Sequence, residues 1–251
     1  GSSSTDATTN NATLTVTGTE TGATIQYSSD GSSWGSSYTP VLDGNTVYVR
    51  QIDVAGNTSS PNTLSYVYDT AAAAPTLALT SDTGSSSTDG ITSNPALTVT
   101  GTEAGALVQY SSDGSAWGSS YTPVEGGNTV YVRQIDLAGN TSGVNTLEYT
   151  LDTSSAAPSL ALANDSGGSS TDHITNDSSL TVTGTEAGAI VQYSSDGSSW
   201  GSGYTPVLNG NTVYVRQIDV AGNTSGTNTL SYVYDTTAAA PTLALTTDTG
   251  S

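Results

Sequence analysis

Almost all of the side chains that could do chemistry in this chain are carboxylates. The 251 residues include 22 Asp and Glu but only three Arg and no Lys, which gives a net charge of −19. Carboxylates packed together without a counter-ion repel one another, and a bound metal ion is the natural way to neutralise them. Calcium takes about six to eight oxygen ligands, which carboxylates and backbone carbonyls can supply. The composition therefore predicts calcium sites wherever the fold gathers several acids.

The same composition argues against several other functions. A polyanion with three cations cannot hold a phosphate backbone, so we expect no nucleic-acid partner. No apolar run approaches the ~20 residues of a membrane span, so we expect no membrane insertion. Without Cys there is no disulfide scaffold or thiol nucleophile. A carboxylate pair could hydrolyse glycosides, but it would have to work in every repeat, with no repeated His or Lys to help. We therefore expect no enzyme and no catalytic residues.

The chain consists of three copies of one sequence unit. Trp34, Trp117 and Trp200 are 83 residues apart at each step, and the three Arg have the same spacing. The segment GSSSTD at Gly1 recurs at Gly84, and as GGSSTD one period later. Self-similarity at a fixed period is the signature of a repeat protein, so we expect the chain to be part of a longer array.

Each unit has the pattern of short β-strands. Residues 13–17, 23–27 and 147–151 alternate between apolar and polar side chains, and residues 46–52 are β-branched and aromatic. Turn signals separate these runs, and about seven strands per unit favour an immunoglobulin-like (Ig-like) β-sandwich. The alternation also predicts which side chains of the first unit are buried and which face outward. The predicted core is Leu14, Val16, Ile25, Tyr27, Val47, Val49, Leu64 and Tyr66, and the predicted outward residues are Thr13, Thr15 and Gln26.

The domain boundaries are offset from the repeat boundaries. Residues 75–79 resemble the first strand of a sandwich, strand A, and belong with the strands that follow them. We therefore predict complete Ig-like domains at 71–153 and 154–236. Residues 1–70 would form a domain that lacks its own strand A, and 237–251 would carry an orphan strand A. That strand could fill the missing strand position of a neighbouring chain by strand addition. Alternatively, the ends of the sequence are simply a boundary placed by the period of the repeat.

Strand direction predicts where the acids converge. Because successive strands alternate in direction, the loop with Glu103 and the turn with Asp136 and Asn140 lie at one pole of their domain. That pole faces the end of the preceding domain, at Asp69. The predicted calcium ligands at the two junctions are Asp69, Glu103, Asp136 and Asn140, and Asp152, Glu186, Asp219 and Asn223. In the alternative interpretation, the Asp of each Asp-x-Ala-Gly-Asn turn only caps backbone N–H groups.

A second calcium group is predicted at the opposite pole, where a long loop rich in Ser, Gly and Asp needs something to order it. The candidate ligands of this second calcium group are Asp82, Asp89 and Asp113, and in the next repeat Asp165, Asp172 and Asp196. In the alternative interpretation, the loop is solvated and flexible and binds no ion.

Two strings, GTEAGALVQYSSDGSAW and NTVYVRQIDLAGNTS, resemble the bacterial Ig-like repeats of very large secreted adhesins and biofilm proteins. The motif segments are residues 101–105, 112–114 and 136–140, and the resemblance covers essentially the whole chain. It implies an extracellular spacer at the cell surface, often rigidified by calcium between domains, with neighbouring repeats as its partners. The glycine-rich nonapeptide calcium repeat found elsewhere in such adhesins is absent.

Two other functions remain open from the sequence. The chain could be the subunit of a self-assembling filament or matrix in which strand A is donated between copies of the chain. It could also bind carbohydrate through Trp34 and Tyr38. Arg50 is the only cation of its repeat, and we expect it on the outer face, beside Tyr48, Gln26 or Trp34, in a stacking or ion pair. His173 replaces Gly or Ala of the other repeats, so we interpret it as surface variation.

Overall fold

The structure is a computed structural model that describes residues 5–247. This part of the chain is all-β, with sixteen strands and no helix, as the sequence predicts. No helix among these residues is therefore long and apolar enough to cross a membrane. We call residues up to 70 the first repeat, 71–153 the second repeat and 154–236 the third repeat.

The strands recur at equivalent positions. The first repeat contains β1 (Thr8–Thr9), β2 (Thr24–Ser28), β3 (Asp43–Ile52) and β4 (Asn62–Tyr68). The second contains β5 (Thr76–Leu79), β6 (Ile91–Thr92), β7 (Leu97–Thr100), β8 (Leu107–Ser111), β9 (Gly126–Ile135) and β10 (Asn145–Leu151). The third contains β11 (Ser159–Leu162), β12 (Ile174–Thr175), β13 (Leu180–Thr183), β14 (Ile190–Ser194), β15 (Asn209–Ile218) and β16 (Asn228–Tyr234).

Each repeat builds the same four-stranded sheet, in the order β1-β4-β3-β2, β6-β10-β9-β8 or β12-β16-β15-β14. The long strand pairs antiparallel with both neighbours in a conserved register, so that Val47 lies opposite Leu64 and Val213 opposite Leu230. The short first strand runs parallel to the last one, with Thr8 opposite Val67. A two-stranded antiparallel sheet, β5-β7 or β11-β13, accompanies the second and third repeats.

The chain divides into two compact units, which do not coincide with the repeats. One comprises Gly1–Thr80 and Pro95–Tyr149, and the other Ser81–Asn94 and Thr150–Ser251. The segment Ser81–Asn94 groups with the third repeat because Thr83 Oγ1 donates a hydrogen bond to Ala221 O (2.8 Å). Ser85 N also donates one to Val220 O (3.0 Å). The domain boundaries at 71, 154 and 237 stay predictions.

The third repeat shows how its core is enclosed. Val213, Leu230 and Tyr232 from the four-stranded sheet are buried, and leucines of β11 and β13 pack against them. Two sheets that bury their inner faces against each other are consistent with the predicted β-sandwich.

The predicted alternation is correct along the long strand of the first repeat. Val47 is 4% exposed, whereas its neighbour Tyr48 is only half-buried, and Tyr66 is also buried. Six other residues of this prediction are neither fully buried nor fully exposed. Leu14, Val16, Ile25, Tyr27, Val49 and the supposedly outward Gln26 are half-buried, and Thr13 and Thr15 are exposed.

The prediction for Leu64 is wrong, because this side chain is 49% exposed. Its equivalent Leu230 is only 7% exposed, since the leucines of β11 cover it. Among the described residues, the first repeat has no strand in that covering position. For the same reason residues 13–17 are not a strand, whereas their equivalents β7 and β13 pair with β5 and β11.

Candidate metal centre

Each compact unit contains one group of three carboxylates. In the first unit, Asp69 follows β4, Glu103 lies in the turn between β7 and β8, and Asp136 follows β9. One carboxylate oxygen from each lies within 4.8 Å of the other two. Asp136 is 3% exposed, and the other two are half-buried. The second unit repeats this arrangement with Asp152, Glu186 and Asp219.

The turn after β9 presents Asp136 to the group. Asp136 N donates to Asn140 O (3.0 Å), and Gly139 supplies the left-handed φ of 89° that the turn requires. Asp136 Oδ1 accepts from Asn140 N (2.8 Å), and Oδ2 accepts from Asn140 Nδ2 (2.7 Å). The carboxylate therefore does cap its turn. Each oxygen still keeps a lone pair that could bind a metal.

Asn140 contacts the group through its amide nitrogen. Nδ2 also donates to the backbone oxygen of Asp69 (2.9 Å). Asn223 makes the equivalent bonds to Asp152 O and Asp219 Oδ2, both at 2.8 Å. In the structure the amide nitrogens of both Asn side chains hold the acids in place, and the role of their Oδ1 atoms as metal ligands stays a prediction.

A glutamine that the sequence reasoning missed holds the linker to each group. Gln134 is fully buried; its Oε1 accepts from Glu103 N (2.9 Å) and its Nε2 donates to Ala73 O (2.6 Å). Glu103 Oε1 accepts from Ala73 N (2.6 Å), so both peptide groups of this linker residue are bound. Gln217 bonds the second linker in the same way. The sequence does contain a signal for Gln134: it lies on β9 two residues after the inward-facing Val132, so its polar side chain falls on the buried face.

The second linker has one additional donor. Ser155 Oγ donates to Glu186 Oε1 (3.2 Å), and Ala156 N donates to the same oxygen (2.8 Å). The first linker carries Ala72 at the position of Ser155. The two groups therefore have the same acids but differ by one hydroxyl.

The arginine of the second repeat, Arg133, makes its contacts elsewhere and does not balance the charges of the first carboxylate group. Arg133 Nε donates to Gln109 Oε1 (2.9 Å), and its guanidinium lies 4.0 Å from the ring centroid of Trp117. Two unit charges about 4.8 Å apart repel by roughly 3 kcal/mol at an effective dielectric of about 20. A divalent cation would remove this repulsion, and carboxylate oxygens are suitable ligands for it. Each group could thus hold a metal ion.

The first repeat contains the same turn, with Glu20 at the position of Glu103, but there the turn stands outside any group of three acids. Asn57 N donates to Asp53 Oδ1 and Asn57 Nδ2 to Asp53 Oδ2, both at 2.7 Å. These bonds, first the one from the Asn57 side chain, hold the pKa of Asp53 below its ordinary value. Within residues 5–247, Asp53 belongs to no group of three acids. The turn therefore forms independently of any such group.

The acids of the opposite pole make local contacts instead. Asp165 Oδ2 accepts from His173 N (3.0 Å), and Asp172 Oδ1 accepts from Ile174 N (3.1 Å). Asp196 caps a turn by accepting from Ser198 N and Ser199 N. These three acids lie in one unit but do not form a group of three. Asp82, Asp89 and Asp113 make the corresponding local bonds, and one buried oxygen each of Asp82 and Asp165 has no hydrogen-bond partner.

The expected stacking of Arg50 is confirmed. Its guanidinium lies 4.0 Å from the ring centroid of Trp34, and its Nε donates to Gln26 Oε1 (3.0 Å). The stack recurs in the other repeats. Tyr38 OH donates to Asn45 Oδ1 (2.8 Å). One face of Trp34 and the hydroxyl of Tyr38 are therefore already used within the protein.

In comparisons with known proteins, no family model matches this chain, and no curated protein matches it significantly.

Proposed function

We propose that this protein is a structural spacer of a secreted, cell-surface adhesin-like protein, built from Ig-like domains that calcium stiffens at their junctions. The domains would be 71–153 and 154–236, preceded by the incomplete 1–70. Calcium would bind Asp69, Glu103 and Asp136 at one junction and Asp152, Glu186 and Asp219 at the next. The protein would have no catalytic role.

One observation carries this proposal. In each carboxylate group, one acid comes from the end of a repeat and two come from loops of the repeat that follows. The linker between them is itself held at Ala73 or Ala156 by hydrogen bonds. A cation shared by the three acids would join the two repeats directly. Such a bond restricts rotation about the linker, which is what a stiff spacer needs.

The ligand chemistry favours calcium over magnesium. Magnesium requires near-ideal octahedral geometry, whereas calcium accepts a variable set of carboxylate and carbonyl oxygens. Backbone oxygens of the linker can add to the three carboxylates. Extracellular calcium modules bind with dissociation constants of about 10⁻⁴ to 10⁻³ M, so we expect an affinity in that range.

Calorimetric titration with calcium tests the proposal, and the chain provides its own control. We expect the chain to bind two ions, and Asp136→Asn together with Asp219→Asn to abolish binding. Asp53→Asn removes the same turn cap from the first repeat and should leave both sites intact. At a hundredfold excess over the dissociation constant, binding to the folded state alone should stabilise it by about 2.7 kcal/mol. An equal loss of stability in the double variant and in Asp53→Asn, unaffected by calcium, would mean that the acids only cap turns.

A second measurement separates stiffening from binding. The chain contains no Cys, so Ser32→Cys and Ser198→Cys would place two unique labels at exposed turns. We expect the distribution of distances between the labels to broaden when calcium is chelated. The Asp136→Asn variant should show the broad distribution even with calcium. A distribution that chelation leaves unchanged would rule out the stiffening role while leaving binding itself possible.

A further inference from the structure

At six places in the sequence, an aspartate or an asparagine stands directly before a glycine. The side-chain carbonyl carbon of such a residue is open to attack by the backbone nitrogen of the glycine, because a glycine carries no side chain that hinders a close approach. Asparagine is the more labile of the two residues. The five Asp-Gly pairs begin at Asp30, Asp43, Asp89, Asp113 and Asp196, and the one Asn-Gly pair is Asn209-Gly210.

Four of the six pairs are held by hydrogen bonds that block this attack. Gly114 N, for example, donates to Ser111 Oγ (2.9 Å), and the carboxylate of Asp113 accepts from Ser115 N (2.8 Å). The glycine nitrogen is thus engaged, and the carboxylate faces other donors. The glycines whose nitrogen donates in this way are Gly31, Gly90, Gly114 and Gly197.

The Asn-Gly pair lacks this protection. It lies at the start of β15, where Gly210 is opposite Val233. Val233 N donates to His173 O (2.8 Å), so the backbone groups of Val233 face β12 and not β15. Because bonded and non-bonded pairs alternate along an antiparallel ladder, Gly210 N makes no ladder bond. Within residues 5–247, neither this nitrogen nor the Asn209 side chain has a hydrogen-bond partner, and both residues are exposed.

The equivalent position of the first repeat carries an aspartate in the same conformation. Asn209 has a left-handed φ of 78°, and Asp43 has one of 73°. Asn211 Nδ2 donates to Asn209 O, and Asn45 Nδ2 donates to Asp43 O, both at 3.0 Å. Asp43 is exposed although a further repeat follows it in the chain. The exposure is therefore a property of this turn, and the turn accepts either residue.

We propose that Asn209 is a modification site, at which the folded chain deamidates without an enzyme. Gly210 N forms a bond to Cγ of Asn209, the Cγ–Nδ2 bond breaks, and Nδ2 leaves as ammonia with the proton from Gly210 N. Water then opens the five-membered imide at one of its two carbonyl carbons. The products are an aspartate, or an isoaspartate in which the side-chain carbons have become part of the backbone. Water is the only co-reactant, and the reaction does not depend on calcium or on the spacer function.

The two products have different effects on the fold. Aspartate adds one negative charge and leaves the backbone as it is at Asp43. Isoaspartate lengthens the main chain after residue 209 and displaces the oxygen that Asn211 now binds. Asn211 is buried, and it also bonds both backbone groups of Val207 and the hydroxyl of Tyr204. Isoaspartate should therefore lower the melting temperature, whereas aspartate should not.

Two variants separate the reaction from its products. Gly210→Ala should slow the loss of the amide several-fold, because the added methyl group hinders the attack. The fold should tolerate it, since a Cβ at Gly210 meets no atom within 4 Å and the residue has no left-handed φ. Asn209→Asp supplies the aspartate product directly and should melt at the same temperature as the unmodified chain.

Peptide mapping by mass spectrometry tests the proposal on the whole 251-residue chain, kept in mildly alkaline buffer either folded or in urea. In the folded chain we expect Asn209 to lose its amide and isoaspartate to form there and, more slowly, at Asp43, while the four bonded pairs stay intact. In urea all six pairs should react. An Asn209 that reacts in urea but stays intact in the folded chain overturns the proposal. Folded-state isoaspartate at Asp30 or Asp113 at the rate of Asp43 also does, and so does a Gly210→Ala chain that reacts at the original rate.

Discussion

The side-chain nitrogen of Asn140 donates a hydrogen bond to the backbone oxygen of Asp69, which lies 71 residues earlier in the chain. The same nitrogen bonds the carboxylate of Asp136, so one amide connects the turn of the second repeat to the residue that follows the last strand of the first repeat. The equivalent turn at Asn57 forms its internal bonds in the same way. The turn is therefore a preformed unit, and the contact to Asp69 is added to it.

Replacing Gln134 by leucine should destabilise the first unit. The change keeps the approximate volume but leaves Glu103 N and Ala73 O without their partner in a fully buried position. An unsatisfied buried polar group costs about 1–3 kcal/mol. Gln51→Leu is the control, because Gln51 bonds Glu20 N at a half-buried position that water can reach. Urea unfolding should show the larger loss for Gln134→Leu, and equal losses would contradict the assigned role.

Gly84→Ala should disrupt the contact between the 81–94 segment and the third repeat. Gly84 has a φ of 98°, and a Cβ there would clash with Val220 O. Gly167→Ala is the matched control, since Gly167 has a φ of 111° but no atom closer than 3.9 Å. In both variants an alanine must adopt a left-handed backbone conformation, which costs about 1 kcal/mol. Only Gly84→Ala should also speed hydrogen exchange at Ser85 N, which donates to Val220 O.

The turn capped by Asp113 should open only in acid. Hydrogen bonds from the backbone of Ala116 and Ser115, and then from the Ser111 side chain, hold the pKa of Asp113 well below its ordinary value. The folded turn therefore binds its proton less readily than the unfolded chain does. The ionised cap stabilises the folded turn fully when the pH is above the ordinary pKa of an aspartate. This stabilisation is lost as the pH falls toward the lower pKa that Asp113 has in the folded turn.

Carboxyl NMR titration checks this directly. Asp113 should remain ionised at a pH where the exposed acids have already taken up protons. Asp113→Asn should remove the pH dependence of the amide signals of Ser115 and Ala116. An Asp113 that titrates at its ordinary value would show that these bonds do not persist in solution.

Tyr232→Phe should leave the free energy of unfolding at neutral pH almost unchanged, whereas Tyr204→Phe should lower it. The Tyr232 hydroxyl is buried without a hydrogen-bond partner, and burial raises its pKa to about 12. Tyr204 OH donates to Asn211 Oδ1 (2.8 Å), a bond worth about 1 kcal/mol. A raised pKa adds stability below pH 10 that is lost as the pH rises toward about 12. Thermal melts in alkali should thus show a loss that Tyr232→Phe lacks.

The sequence predicts those features that depend on one strand or one turn. The alternation along β3 correctly places Val47 inside and Tyr48 further out, because the period of a strand is a local property. Leu64 was misplaced because its burial depends on a strand from elsewhere, which the second and third repeats have and the described part of the first repeat lacks. Local pattern contains no information about whether that partner is present.

The candidate site divides in the same way. Strand direction was enough to bring together Asp69, Glu103 and Asp136, since it determines which loops share a pole. It did not reveal Gln134, because alternation was used to find apolar core residues and a polar one was passed over. It also did not reveal that the amide nitrogen of Asn140 holds the acids in place. That contact depends on the backbone oxygen of Asp69, whose position only the folded structure supplies.

The parallel pairing of the first and last strands of a repeat determines how it would bear a pulling force. In the second repeat, Thr150 N donates to Gly90 O (2.8 Å) and Asp152 N donates to Thr92 O (3.0 Å). Tension that reaches β6 from the N-terminal side and leaves after β10 would draw these two parallel strands in opposite directions along their length. The hydrogen bonds between them would then be sheared together instead of being unzipped one by one. Asp152, which ends this pair, also belongs to the second carboxylate group, so mechanical load would reach that group through its backbone.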